Sequence, residues 1–170
     1  MNSLSYINEQ LLTSTLVLHP SEITSDIDNF IKLKLKESIE GKSYEEGYII
    51  KDSVRIIQRS IGHIVTNNKQ SEIKYIIKYK ATVVSPSEND ELNITVNNVN
   101  KMGVLGFIKL KPSDDIEGSP LIVMVPKEYF DENASFNFND INVGQQLDVI
   151  VVGARVKFNT KNIQVIARPI

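Results

Sequence analysis

The sequence contains no cysteine, and it has only 6 prolines and 8 glycines in 170 residues. The absence of cysteine excludes disulfides and thiolate metal sites, and it is typical of proteins from a reducing compartment. No apolar run is as long as a membrane-spanning helix requires, so we expect no membrane association. The first residues lack a basic segment followed by an apolar core, so we expect no secretory signal.

An excess of charge of one sign is also missing, because the formal net charge is −2. This balance excludes a nucleic-acid-binding domain that works by bulk positive charge, so any such binding must use a local patch or be weak. The chain is rich in Ile, Asn and Lys, with 23, 16 and 15 residues respectively. Such a bias is typical of AT-rich genomes, including those of parasites and large DNA viruses, and it indicates no mechanism.

Catalytic and metal-binding signatures are absent from the sequence as well. It contains no phosphate-binding glycine loop, nucleophile elbow or zinc spacing, and no acid–base pair is evident. His19 and His63 are far apart in the chain, and we expect His19 to make a backbone hydrogen bond in a turn. The segment 114–117 lacks the spacing of a calcium loop, so we expect a solvated loop. We therefore predict no catalytic residue, no metal, no cofactor and no enzymatic activity of the chain itself.

The segment 92–108 carries the clearest structural pattern in the sequence. Alternating apolar residues (Leu92, Ile94, Val96) are followed by a Met-Gly corner and a second strand. Gly103 relieves a corner in which a side chain would crowd the backbone. A bent first hairpin of this kind is typical of the five-stranded OB barrel, a fold that often binds single-stranded nucleic acid. The five predicted barrel strands are 92–99, 103–110, 121–125, 146–158 and 162–168.

The first half of the chain predicts an α+β domain. A strand at 11–18 precedes a helix over 21–40, in which apolar residues recur every fourth position and Gly41 follows the end. Short strands and a hairpin through 61–83 complete an antiparallel sheet. A polar, Pro-containing segment at 85–91 marks the joint. We therefore predict two domains, 1–84 and 85–170.

An ordered series of short motifs resembles one protein family over roughly residues 13–168. The motifs are Leu16-Val-Leu-His-Pro-Ser21, Lys34-Leu-Lys-Glu-Ser-Ile-Glu-Gly41, Gly47-Tyr-Ile49, Ile61-Gly-His-Ile64, Ile77-Lys-Tyr-Lys-Ala81, Pro86 and Val99-Asn-Lys-Met-Gly103. The family is the S1-domain-bearing stalk subunit of multisubunit DNA-directed RNA polymerases, which includes the larger stalk subunit of RNA polymerase II and its archaeal counterpart. No single motif is specific, whereas the ordered series is.

The resemblance implies a non-catalytic accessory subunit with an N-terminal tip domain and an S1-type OB barrel. The tip would dock on core polymerase subunits near the clamp, and the barrel would project toward nascent single-stranded RNA, often beside a smaller stalk subunit. It also implies a location in the nucleus, or in a viral factory and virion for a viral member. The implied docking residues are Arg55, Arg59, Ile61, Gly62, His63 and Ile64. The implied residues of a weak RNA contact are Lys101, Met102, Phe107, Lys109 and Lys157.

The sequence departs from the family pattern at the barrel corner and in the tip loop. S1 domains often place an aromatic residue after the corner glycine, whereas this chain has Val104 and Leu105. Because stacking contributes about 1–3 kcal/mol per base, this loss predicts weaker RNA binding. The tip loop also lacks the additional glycines that family members often carry. Two alternatives therefore stay open: a free-standing single-stranded RNA-binding OB protein, and an adaptor whose barrel binds protein.

Overall fold

The computed structural model of the chain describes residues 4–132 and 137–170. Contacts within these ranges group into two compact units, each discontinuous in sequence. The barrel unit comprises the N-terminal residues through Asn8, Gly41–Tyr48 and Val84–Ile170. The sheet unit comprises Glu9–Glu40 and Ile49–Val83. The predicted domain boundary between residues 84 and 85 stays a prediction.

The first six strands form an antiparallel sheet, as the sequence predicts for the N-terminal half. Its strand order is β1-β6-β3-β2, and β4 and β5 also pair with β6. Alternate residues of β6 are buried, among them Tyr75, Ile77 and Tyr79, as the period-two pattern predicts. The six strands are β1 (Ile7–Leu18), β2 (Ser43–Tyr44), β3 (Gly47–Ile49), β4 (Arg55–Arg59), β5 (His63–Asn67) and β6 (Gln70–Val84).

Helix α1 (Ile27–Ile39) supplies the other half of the core of the sheet unit. Its buried residues are Ile31, Leu35 and Ile39, which lie on one helical face. Gly41 follows with a φ of 71°, the left-handed conformation expected just beyond a helix end. The prediction that the helix begins at residue 21 is wrong.

A separate 3-10 helix, Pro20–Glu22, occupies the positions where α1 was predicted to begin. The His19 ring Nδ1 accepts a hydrogen bond from the Ser21 N–H (3.2 Å), and the Glu22 carboxylate accepts one from the His19 N–H (2.9 Å). These reciprocal bonds close a capping box, after which Ile23 returns to extended backbone. The expected turn histidine with a backbone hydrogen bond is thereby confirmed.

Five strands of the barrel unit close into the predicted OB barrel, in the order β10-β11-β9-β8-β7. Strands β11 and β9 are parallel, and the other pairs are antiparallel. The predicted inward residues Leu92, Ile94 and Val96 are at most 2% exposed. The barrel strands are β7 (Glu91–Asn100), β8 (Gly103–Phe107), β9 (Leu121–Pro126), β10 (Gln146–Arg155) and β11 (Ile163–Pro169).

A short helix, α2 (Lys127–Asp131), follows β9, and a 3-10 helix, Phe138–Asp140, precedes β10. Within residues 4–132 and 137–170, no helix is long and apolar enough to cross a lipid bilayer.

The corner between β7 and β8 depends on the backbone of Gly103. Its φ is +144°, and a Cβ atom there would lie 2.2 Å from the carbonyl oxygen of Val125. No side chain fits such a separation, so β8 can approach β9 this closely only with glycine at the corner. The expectation that a side chain would crowd this corner is confirmed.

We predict that Gly103→Ala lowers the free energy of unfolding by about 2–4 kcal/mol, because backbone strain and overpacking both act there. Urea unfolding of the full chain measures this change. Gly153→Ala is the matched control, since no atom lies within 4 Å of the added Cβ. It should shift stability by at most about 1 kcal/mol. Equal effects of the two substitutions would contradict the role assigned to the corner.

Candidate docking and nucleic-acid surfaces

The sheet unit exposes large apolar residues in β5 and in the link that precedes it. We call Ile61 and Ile64 the tip surface; they are 75% and 77% exposed. Every residue from 61 to 71 is exposed, so this end of the β5–β6 hairpin has neither face buried. Large aliphatic side chains that are this exposed are suited to a protein-binding surface.

The link between β4 and β5 holds two of the predicted docking residues in position. The Ser60 N–H donates to the Ile76 carbonyl (2.8 Å), and the Ile76 N–H donates to the Ser60 hydroxyl (2.9 Å). Ile61 and Gly62 then leave the strand pairing, which resumes at His63 opposite Lys74. A Cβ on Gly62 would lie 2.8 Å from Ile73 Cγ2 and 3.0 Å from the Tyr75 ring. Any larger residue at position 62 would therefore force the Ile73 and Tyr75 side chains to move, so glycine allows the close packing of the link on β6.

The two predicted docking arginines are already engaged within the sheet unit. Arg59 Nε donates to the Asp28 carboxylate on α1, and its Nη1 donates to the Ser60 carbonyl (3.1 Å). The guanidinium also lies 5.6 Å from the Tyr75 ring centroid, and the hydrogen bond to Asp28 raises the pKa of Arg59. Arg55 forms an exposed ion pair with Glu9 (3.4 Å). Arg59 thus joins α1 to β4, which leaves the tip surface as the free part of the predicted docking segment.

On the barrel, Lys101 and Met102 lie together at the β7–β8 corner, and Met102 is 74% exposed. Both line a shallow groove that also contains Lys127, Glu128 and Asp131. The mixed charges make this a locally balanced surface rather than a basic patch.

Phe107 is only 6% exposed, although the family resemblance implies that it lies at the nucleic-acid surface. The Lys109 ammonium lies 5.9 Å from the centroid of its ring. Because a buried ring cannot receive a base, the Phe107 ring is not available for stacking in this structure. Lys109 itself is exposed and follows the last residue of β8, whereas Lys101 precedes the first.

Lys157 is exposed in the loop between β10 and β11. This loop and Lys109 lie at the same end of the barrel, because β11 begins beside Leu121 while Phe107 pairs with Ile122. The predicted RNA-contact residues are therefore divided between the two ends of the barrel, with Lys101 and Met102 at the other end.

A functional candidate missed by the sequence analysis lies in the same loop. Phe158 is 77% exposed, and its ring meets the Tyr44 ring edge-on with centroids 5.1 Å apart. The sequence pattern predicts Phe158 at the end of a strand, but β10 ends at Arg155. An aromatic residue between Lys157 and Lys161 was the available signal.

The outer face of the barrel carries an aliphatic groove of about 580 Å³. Leu105, Ile122, Met124 and Ile166 line it, with Arg155 at its border. Val104, which follows the corner glycine, points into the core and is 0% exposed. Leu105 is therefore the outward residue near the corner, and this face offers aliphatic contact rather than aromatic stacking.

The acidic loop at 114–117 has a structural role. The Asp114 carboxylate accepts hydrogen bonds from the N–H groups of Leu110 (3.0 Å) and Lys111 (2.8 Å), and Asp115 accepts one from Gly118 (3.0 Å). Over residues 4–132 and 137–170, no three His, Asp or Glu side chains converge in a way that could hold a metal ion. Burial raises the pKa of Tyr48, with a contribution from Asp114.

No protein-family model matches the chain, but three curated proteins are similar to it over most of its length. The DNA-directed RNA polymerase II subunit rpb7 of Schizosaccharomyces pombe is 31% identical, covering 86% of this chain and 80% of the relative. The RNA polymerase II subunit RPB7 of Saccharomyces cerevisiae is 26% identical over 86% and 81%. A protein of Acanthamoeba polyphaga mimivirus, named as a candidate DNA-directed RNA polymerase subunit, is 27% identical over 89% and 75%.

We predict measurable coupling between Arg59 and Asp28 in a double-mutant cycle with Arg59→Gln and Asp28→Asn. Because the Arg59 side chain is 30% exposed, the coupling should be about 0.5–1 kcal/mol in urea unfolding. The control cycle uses Arg55→Gln and Glu9→Gln, a more exposed pair that should couple by at most about 0.3 kcal/mol. Equal coupling in both cycles would show that Arg59 does not join α1 to β4.

Proposed function

The chain belongs to the Rpb7 family of RNA polymerase subunits, and we propose that it is a non-catalytic stalk subunit docked on the polymerase core through its tip surface. The observation that carries this proposal is the exposure of Ile61 and Ile64 where neither face of the β5–β6 hairpin is buried. In this proposal, catalysis belongs to other subunits. It is supported by the structural role of the neighbouring carboxylates Asp114 and Asp115, which accept hydrogen bonds from the backbone of their own loop.

Docking by the tip surface would be driven mainly by the hydrophobic effect. Complete burial of an isoleucine side chain contributes about 1.5–3 kcal/mol, so Ile61 and Ile64 alone could supply much of the affinity. Gly62 would act by holding the link against β6, and His63 by pairing β5 with β6. Arg59 would act indirectly, because its charge is used within the sheet unit.

The barrel, in this proposal, contacts single-stranded RNA weakly through Lys101, Met102, Lys109 and Lys157. Support comes from the exposure of all four residues and from the OB topology. The net charge of −2 and the absence of an available ring at Phe107 both favour low affinity. RNA contact would therefore matter only once docking has raised the local RNA concentration.

The proposed partners are core RNA polymerase subunits and a smaller stalk subunit. The site of action would be the nucleus for a cellular polymerase, or a viral factory and virion for a viral one. The presence of yeast and mimivirus proteins among the relatives supports both settings.

We predict that tagged wild-type chain, expressed in its native source, co-purifies with the large polymerase subunits. The double variant Ile61→Asp, Ile64→Asp should reduce their recovery at least about tenfold, because it places two charges in an apolar interface. Quantitative mass spectrometry of the purified complexes measures the recovery.

The matched control is Leu11→Asp, Val17→Asp, which changes two exposed apolar residues of β1 in the same unit. This variant should retain wild-type recovery. Full recovery with the Ile61/Ile64 variant would refute the tip surface as the docking site, and absence of polymerase subunits from the wild-type sample would refute the proposed function.

We further predict that the isolated protein binds a short oligouridylate no more tightly than micromolar at physiological salt, with affinity falling as salt rises. Filter binding at two salt concentrations measures this. Submicromolar affinity would instead favour a free-standing RNA-binding protein.

A further inference from the structure

The loop formed by residues 156–162 exposes the Phe158 side chain to solvent and holds its ring against Tyr44. The ring is 77% exposed, and it packs edge-on against Tyr44, with an angle of 84° between the ring planes. The contact with Tyr44 restricts the orientation of the Phe158 ring and leaves most of the side chain exposed. A ring held in this way is suited to stacking on a flat partner.

Ser43 anchors this loop and is itself 0% exposed. Its hydroxyl donates to the Lys157 carbonyl (2.6 Å), and its N–H donates to the Thr160 carbonyl (2.7 Å). Its carbonyl accepts from the Asn159 N–H (2.7 Å), and Asn159 adopts a left-handed φ of 58°. These bonds fix the backbone on both sides of Phe158, so little conformational entropy is lost when a ligand binds.

Two lysines flank the ring in sequence. Lys157 and Lys161 are both exposed, and neither ammonium forms an ion pair with a carboxylate of residues 4–132 or 137–170. Asn159 between them is polar, Val156 in the same loop is 40% exposed, and Glu45 and Glu46 follow Tyr44 in sequence. A protein interface would favour a larger apolar patch at this position, whereas an exposed ring flanked by two lysines fits a base with its phosphates.

We propose that Phe158 is a stacking platform for one base of single-stranded nucleic acid, with Lys157 and Lys161 contacting adjacent phosphates. This inference rests on the proposed weak RNA contact of the barrel and names the ring that supports it. Phe158 thereby takes the role for which the buried Phe107 is unsuited.

The chain contains no tryptophan but has 6 tyrosines, so Phe158→Trp places the only indole, which can be excited selectively, at the proposed platform. In the full-length variant, a short oligouridylate should quench its fluorescence saturably, because a stacked base quenches indole emission. An abasic oligomer with the same phosphates should not. Leu11→Trp is the control, because Leu11 is 62% exposed and lies on β1 in the sheet unit, apart from every proposed RNA contact. Its fluorescence should not change.

Phe158→Ala should weaken oligouridylate binding at least about fivefold, whereas Phe158→Tyr should retain it. Lys157→Glu should also weaken binding and reduce its salt dependence. Oligodeoxythymidylate serves as the second ligand, and the stronger of the two quenchers identifies RNA or DNA as the preferred strand.

Wild-type affinity in Phe158→Ala, or equal quenching by the abasic oligomer, would overturn the platform while leaving RNA contact elsewhere on the barrel. Absence of binding to any oligonucleotide would overturn the platform and the RNA contact together. Polymerase docking is measured separately by co-purification. The Phe158→Ala variant should co-purify with the large subunits as the wild type does.

Discussion

Backbone pairing along β6 is the interaction on which the proposed docking surface depends. This strand of 15 residues pairs with β1, β4 and β5, so it fixes the register of most of the sheet. From Tyr75 onward its alternate residues are buried, and a slip of one residue would expose them. Before Tyr75 the hairpin has no buried face, and residues 61–71 are all exposed. Ile61 and Ile64 are therefore exposed because the β5–β6 hairpin extends beyond the residues that the core covers.

The barrel depends on a second constraint, the parallel pairing of β11 with β9 that closes it. Closure brings the β10–β11 loop to the end of the barrel where β8 ends. Ser43, which precedes the barrel strands by more than forty residues, then fixes that loop through three backbone contacts. Closure also gives every barrel strand two neighbours, so the outer face, including its aliphatic groove, has no unpaired strand edge. The exposed Phe158 ring is consequently part of a fixed surface, although it lies outside any strand.

The sequence predicts those features that depend on local periodicity or a single backbone requirement. The five barrel strands, the buried row Leu92, Ile94 and Val96, and the Gly103 corner are of this kind. Features set by contacts between distant residues could not be predicted in this way. Arg59 contacts Asp28 on α1, and Phe158 lies in a loop held by Ser43. Phe107 is buried, although the period of two places it on the same strand face as the outward Leu105. The early start predicted for α1 failed because His19, an unusual capping residue, closes a 3-10 helix first.

Site-specific photocrosslinking tests the central claim of tip docking most directly. A photoreactive amino acid at Ile64, incorporated into the chain in its native source, should crosslink to a large polymerase subunit. The same group at Leu11, which is also exposed in the sheet unit, should not. Crosslinks to the polymerase from Leu11 but none from Ile64 would contradict the account, because they would place the docking surface on β1 instead of the tip.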